Sequence, residues 1–265
     1  MLELILASLP LAIVASVPLL LAVQGELVVQ RSGMINLGIE GMLLAAAFGA
    51  SLTSSVAGGL AGAALVALIF GLFVIQLRAD QIVTGTAINL LVAGATGFAY
   101  RELRPASPPP LDPDWITPFA WIVAPVALAL LLWNTTAGLR LRASGENPSV
   151  VRAARYRSTA LGIQALLAGL GGAHLALALS NGFAENMTAG RGYIALAVVI
   201  FGRWKVKGAV IGTAVFGIAA ALQYAFQAGN YGVPYHLLLA TPYVVTLLIL
   251  CGITGRVRAP EWLGK

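Results

Sequence analysis

The chain is poor in charge: 16 Lys and Arg and 10 Asp and Glu in 265 residues, 10% of the total, where an ordinary soluble domain carries about 25%. So few charges cannot cover the surface of a water-soluble globule of this size. Cysteine is almost missing. Cys251 stands alone, which excludes an internal disulfide framework and a thiolate metal cage; inside its apolar run it reads as a small buried hydrophobe. With only His174 and His236 available, no His/Cys/Asp/Glu cluster has metal-ligand spacing. The phosphate cradle G-x-x-x-x-G-K-[ST] does not occur: Gly202 and Gly208 stand six apart with no Lys after them. No nucleophile elbow is found either. The chain is therefore expected to do no chemistry of its own and to hold no cofactor.

What is abundant is apolar sequence, 59% of the chain, together with 30 Gly. At roughly 20 apolar residues per membrane-spanning helix, that is enough for about eight spans. The expected fold class is all-α, a polytopic transmembrane helical bundle of about 8–9 apolar segments in a single domain over residues 1–265. The runs stand at Leu4–Val23, Met34–Val56, Leu60–Leu77, Ile82–Tyr100, Phe119–Trp133, Thr159–Leu179, Tyr193–Phe201, Ala209–Ala228 and Leu237–Ile253. The run from Tyr193 is short, which predicts a broken or re-entrant helix buried in protein. The first run begins with Glu3 rather than a basic region and reads as a retained span.

The net charge of +6 does not point to nucleic acid, because the basic residues are not gathered with aromatics on one exposed face. They fill the breaks between runs, where topology is set. The break 134–158 carries Arg140, Arg142, Arg152, Arg155 and Arg157; Arg203, Lys205 and Lys207 fill a second break, and Arg256, Arg258 and Lys265 the tail. Placing these inside makes the C-terminal runs alternate consistently and puts the C-terminus in the cytoplasm. The Pro-rich break 101–118 then falls outside. Arg101, Arg104 and Arg191 lie outside, leaving 13 of the 16 basic residues inside. Small residues four apart (Gly58 and Gly62, Gly169 and Ala173, Gly208 and Gly212) predict close helix packing. Pro10, Pro18, Pro125 and Pro242 within runs predict kinks.

Within the basic break, Asn147 followed by Pro148 reads as an N-cap and first-turn pair, predicting a short helix over Pro148–Tyr156. That segment is either a solvated loop that fixes topology or a docking helix for a cytoplasmic partner. Here a resemblance becomes specific. LRASGENPSVVRAAR (Leu141–Arg155) resembles the coupling segment of ABC-importer permeases of the simple-sugar and nucleoside type, the ribose and branched-chain amino-acid permease-like family. RSGMINLGIEGML (Arg31–Leu43) is similar to the N-terminal signature of that family, and ENMTAGRGYIALAVVIFGRWKVKGAVIG (Glu185–Gly212) to its C-terminal one. The likeness is greatest to the shorter permeases of nucleoside importers. One departure is that Tyr156 and Arg157 stand where the family usually has a small Gly-containing turn.

The resemblance implies a type II-like importer permease in a bacterial cytoplasmic (inner) membrane, contacting its ATPase through Gly145, Glu146, Asn147, Pro148, Val151, Arg152 and Arg155. It also implies the partners: ABC ATPase subunits that bind ATP-Mg, a second, longer permease, and an extracytoplasmic substrate-binding protein. The solute would be a nucleoside, with a simple sugar as the alternative.

Polar residues within runs are candidates for the pathway or for helix breaks. Asn36 and Glu40, four apart, share a helical face, and a carboxylate there must pair or face water. Glu40 either lines the pathway or caps a broken helix through free amides, the reading favoured by Gly33, Gly38 and Gly41. Asn89, Gln164, His174, Gln223 and Gln227 read first as interhelical hydrogen-bonding groups. Phe98, Tyr100, Phe183, Tyr193 and Tyr224 suit either base stacking or an interface belt. Arg191 is expected to pair with Glu185, or else to touch the binding protein or solute. A stand-alone secondary transporter is the competing class, and Glu40 would be its ion site.

Overall fold

A backbone in hydrocarbon must satisfy its own N–H and C=O groups, and a chain this apolar does so by forming helices. The structure, a computed structural model, describes residues 10–103, 115–149, 151–228 and 259–264. Every regular element among the described residues is helical: α1 Val17–Arg31, α2 Ile39–Thr53, α3 Val56–Gln76, α4 Gln81–Leu103, α5 Ile116–Asn134, α6 Thr136–Glu146, α7 Ala153–Leu179, α8 Arg191–Phe201 and α9 Val206–Ala228. Four of them, α3, α4, α5 and α7, are long and apolar enough to cross a membrane; α2, α8 and residues 206–221 of α9 are shorter apolar helices. The run Leu237–Ile253, most of the Pro-rich break, Cys251, His236 and the start of the first run lie outside the described residues, as do the side chains of Gln223, Tyr224 and Gln227.

The bundle is built around α7. Its span is 83% buried, against 33–39% for α3, α4 and α5, which turn Leu68, Leu90 and Ile122 outward. Small residues set the spacing, as in lipid they must. Gly58 packs on the Gly49 carbonyl, Gly59 on Gly169 and Ala173, and Gly62 on the Ala45 carbonyl, drawing α2, α3 and α7 together. The prolines act at turns of register. Pro18 sits in the first turn of α1, after a break at Ser16, where its missing N–H costs nothing. Pro125 follows a π turn at Phe119–Val123 within α5.

One sequence boundary is corrected. The first run was expected to end at Val23, before Gln24 and Glu26. The helix instead continues to Arg31 with Gln24, Glu26 and Gln30 buried, because these polar groups find hydrogen-bond partners within the bundle: Ala120, Gln164 and Trp204 respectively.

The two ends of the bundle differ in character. At the basic end the Arg31 side chain donates to the Trp204 carbonyl at 2.8 Å. The Trp133 ring there is flanked by the Arg31 and Arg142 guanidiniums at 5.6 and 5.4 Å. The tail closes on the same end, with Trp262 N donating to the Gly145 carbonyl and Gly264 N to the Gly33 carbonyl. At the opposite end Phe183 packs edge-on against Phe48 and tilted against Tyr100, beside an Arg101–Glu185 ion pair.

Candidate functional site

α8 has 11 residues, about 16 Å at 1.5 Å per residue, roughly half of a 30 Å hydrocarbon core. The chain after α7 therefore descends from the Arg101 end into the bundle before α8 begins. A helix that starts inside a bundle exposes free amides with no water to satisfy them. Glu40, in the first turn of α2, meets them: its carboxylate accepts from Gly190 N at 2.8 Å and Gly192 N at 2.6 Å. Negative charge at a helix N-terminus also suits the helix dipole. The local sequence permits this approach. Gly190 has φ +81, and a Cβ on Gly192 would lie 2.6 Å from the Glu40 backbone.

The non-helical segment between α1 and α2 is tied down in the same manner by side chains. Asn89, within α4, accepts from Gly41 N at 2.8 Å and donates to the Leu37 carbonyl and the Tyr193 hydroxyl. Gln81 accepts from Ile35 N at 2.7 Å. Asn36 donates to Gln164 at 2.7 Å, and Gln164 donates to Glu26 at 2.6 Å. The Glu26 carboxylate also accepts from Gln30 and from Asn36 N, and Gln30 accepts from the Trp204 indole at 2.7 Å. One polar chain thus runs from the α1–α2 segment through α7 and α1 to the end of α8.

Asn36, Glu40, Asn89 and Tyr193 are accordingly brought around one place, where the α1–α2 segment meets the start of α8. Arg191 lies beside them but does not pair with Glu185. Its guanidinium donates to the Met187 and Thr188 carbonyls, while Glu185 takes two hydrogen bonds from Arg101, each 2.8 Å. Local geometry favours this exchange: Arg191 follows a tight turn whose carbonyls face back at it. Arg101 holds the exposed Glu185 carboxyl below its ordinary range through these hydrogen bonds. His174 stands apart, fully buried with neither ring nitrogen hydrogen-bonded among the described residues.

Glu26, Gln24 and Gln30 were not singled out from sequence. The spacing of Glu26 and Gln30, four apart, was the available signal, since it puts both on one helical face.

At the basic end the segment expected to contact an ATPase takes a different form from the one expected. No helix begins at Pro148. α6 ends at Glu146, Asn147 is its C-cap in extended geometry, and α7 begins at Ala153. Asn147 does use its side-chain oxygen for free donors, but they are the Ser149 amide at 3.1 Å and hydroxyl at 2.6 Å, an Asx turn instead of a helix cap. Pro148 disfavours helical geometry at Asn147, which decides between the two. Glu146, Asn147 and Arg152 are exposed, Pro148 and Val151 half-buried, and Arg155 is exposed in the first turn of α7. Gly145 is buried against the Arg31 carbonyl and Gly33. Residues 147–149 and 151–152 are non-helical and lie between α6 and α7.

Residues 8–253 match the family described as the branched-chain amino acid transport system, permease component. The chain is 30% identical to the guanosine ABC transporter permease protein NupQ of Bacillus subtilis, over 89% of this chain and 88% of that one. It is 27% identical to the nucleoside ABC transporter permease protein NupC of Lactococcus lactis, over 89% of each. Identity to the putative glucose ABC transporter permease protein TsgC13 of Haloferax volcanii is 30%, over 77% and 72%. No solved structure matches the chain. A family match over nearly the whole chain, on a helical bundle with interrupted apolar segments, leaves one conclusion: this chain belongs to the permease-component family of the branched-chain amino acid transport system type, as a transport subunit of an ABC importer.

Proposed function

We propose that the chain forms part of the translocation pathway of an ATP-driven importer for nucleosides. The observation that carries this is likeness over almost the full length to two permeases of nucleoside transporters. The polar cluster at the broken helix supports it, because a pathway for an uncharged polar solute calls for amide and hydroxyl groups at depth. Asn89 and Tyr193 are such groups, and Arg191 and Tyr193 stand at the start of α8. The glucose permease relative favours a sugar as the second reading.

In this reading the chain is a type II-like permease domain over 1–265, with 8–9 apolar segments in the bacterial cytoplasmic membrane. The basic end and the C-terminus face the cytoplasm. Asn147, Pro148, Val151 and Arg152, with Gly145, Glu146 and Arg155 at the margins, dock the ATPase subunits. They bind ATP-Mg, so this chain needs no cofactor. A longer, related permease completes the pore as a heterodimer, and an extracytoplasmic binding protein delivers solute. The pathway binds solute weakly, since a ligand shifts an equilibrium only through differential contacts with its two states.

The test is ATP-dependent uptake of radiolabelled guanosine by the whole complex in proteoliposomes, with unlabelled glucose as competitor. Guanosine uptake insensitive to glucose supports the nucleoside reading, and uptake of radiolabelled glucose by the same proteoliposomes with none of guanosine replaces it with the sugar. Glu146→Lys is expected to abolish uptake while the chain still inserts. Undiminished uptake in that variant would remove these residues from coupling.

A further inference from the structure

A polar cavity of about 440 Å³ opens at the basic end, where the end of α3, the start of α4, the start of α7 and the tail meet. Arg157 lines it from α7, Arg78 and Asp80 from the α3–α4 turn, and Gly264 from the tail. The Nε and Nη2 atoms of Arg157 are buried, Nη2 on the side of Gly33, and have no hydrogen-bond partner among the described residues. Unsatisfied buried donors on a cation are costly, and a native site normally provides an acceptor. Asp80 does not fill that role: its Oδ1 accepts from Ile82 N and Val83 N at the start of α4.

Two further features put positive potential in the same place. Arg78 is held at the rim with φ +56, immediately after the π turn Leu72–Gln76. A left-handed arginine is uncommon, and such conformations collect at ligand sites. Arg152 is the N-cap residue of α7, Arg155 and Arg157 follow within the helix, and there is no acidic residue in the first turn and no side-chain cap. Cations at a helix N-terminus oppose its dipole, and an anion at that point relieves the opposition. Ala154, in that first turn, forms part of the cavity wall.

We propose that this cavity binds a phosphate group, with Arg157 as the principal donor and Arg78 at the rim. A phosphate presents several acceptor oxygens and matches the guanidinium fork. The volume admits more than the bare anion, so the group belongs to a larger molecule: a soluble phosphate ester, or a phospholipid headgroup whose acyl chains lie along the exposed Phe73 and Leu77. The inference is independent of the transported solute.

The experiment uses the purified importer complex with the parent chain, Arg157→Gln, Arg157→Lys and Arg78→Gln. Binding of inorganic phosphate is measured by equilibrium dialysis. Retention of phosphatidylglycerol is measured by native mass spectrometry after reconstitution in phosphatidylcholine nanodiscs containing a phosphatidylglycerol fraction. Phosphate binding, lost by at least about tenfold in Arg157→Gln, supports the site and assigns a soluble ligand. Retained phosphatidylglycerol without phosphate binding, again lost in Arg157→Gln, supports it and assigns a lipid. Arg157→Lys, which keeps charge but not the fork, is expected to recover only part of the occupancy. Should Arg157→Gln fail to assemble, Ala154→Glu, a carboxylate on the exposed wall, carries the same expectation. Neither probe binding, or equal binding by parent and variants, overturns the proposal. So does a crosslink from a cysteine at position 154 to the ATPase in the resting complex, which would make the cavity a protein contact.

Discussion

Removing the Glu40 carboxylate isolates the one group that makes a helix start possible inside the bundle. Its two oxygens take the amides of Gly190 and Gly192 at 2.8 and 2.6 Å, and the residue is 7% exposed. Hydrogen bonds to a charged group contribute about 1.5–3 kcal/mol each, and a buried donor left alone loses the full desolvation cost. Glu40→Ala should therefore destabilise the chain by about 3–6 kcal/mol. For a chain of this size that corresponds to a fall on the order of 10 °C in Tm. Glu40→Gln is the sharper variant. It preserves shape and one acceptor but turns an NH2 group toward a backbone N–H, so one bond survives and one becomes a donor–donor contact. It should lose roughly half as much. The assay is thermal unfolding of the purified complex, paired with thiol labelling of a cysteine placed at the buried Thr188 in a Cys251→Ser background. Labelling should rise in the order parent, Gln, Ala. Equal melting and labelling across the three would mean that α8 does not need Glu40, and the capping argument would fail.

Three further outcomes follow from the same geometry. Gly192→Ala puts a Cβ 2.6 Å from the Glu40 backbone and should block assembly. Gly162→Ala, with nothing within 4 Å, should be neutral or slightly stabilising; similar expression of both would contradict the close approach. Glu26→Leu and Gln164→Leu should each destabilise by about 1–3 kcal/mol through stranded donors and acceptors, and the double variant by clearly less than their sum. Strict additivity in that cycle would show that the two residues are not coupled. The Arg101–Glu185 pair predicts acid sensitivity in the segment between α7 and α8. Because Arg101 depresses the Glu185 pKa, the stabilisation is complete above the ordinary carboxylate value near 4.3 and is lost as pH falls through the lower, folded value. Protease nicking of residues 180–190 should accelerate at that low pH in the parent, whereas Arg101→Gln should be nicked readily at neutral pH too. A parent cut at one rate throughout would dispose of the pair's role.

The sequence made the helical class and the interrupted segment at Tyr193 legible, because both depend on run length against bilayer thickness. Glu40 as a cap was legible for a related reason: glycines around a carboxylate in an apolar run leave little else for it to do. What could not be read was partner choice at long range. Glu185 is 84 residues from Arg101 and six from Arg191, and proximity in sequence favoured the wrong cation. Glu26 lay beyond the expected end of its run, since polarity marks a boundary only where the polar group reaches water. Its acceptor capacity is filled from Gln164, 138 residues away. Asn147–Pro148 failed differently. The same side-chain oxygen can cap a helix or close an Asx turn, and the choice rests on the neighbouring backbone.

The irregular segment 32–38 and the start of α2 are held by side chains from separate helices: Glu26 on α1, Gln81 and Asn89 on α4, and Gln164 on α7. Main-chain bonds within a helix survive rigid-body motion, but these do not survive separation of the helices that make them. α1, α2 and α7 share both this network and the buried core, so they should move as one body in any rearrangement of the bundle. α4, only about 39% buried in its span, is tied in through Asn89 and Gln81. It can shift against the others only by giving up the bonds to Gly41, Leu37 and Tyr193. Asn89→Ala should thus leave insertion intact and loosen α4 specifically. A cysteine pair bridging α4 and α2 in the parent should form more slowly in that variant, while a pair bridging α1 and α7 forms at the parent rate. If both pairs slowed together, the network would act as one cooperative unit and the hinge would have to lie elsewhere.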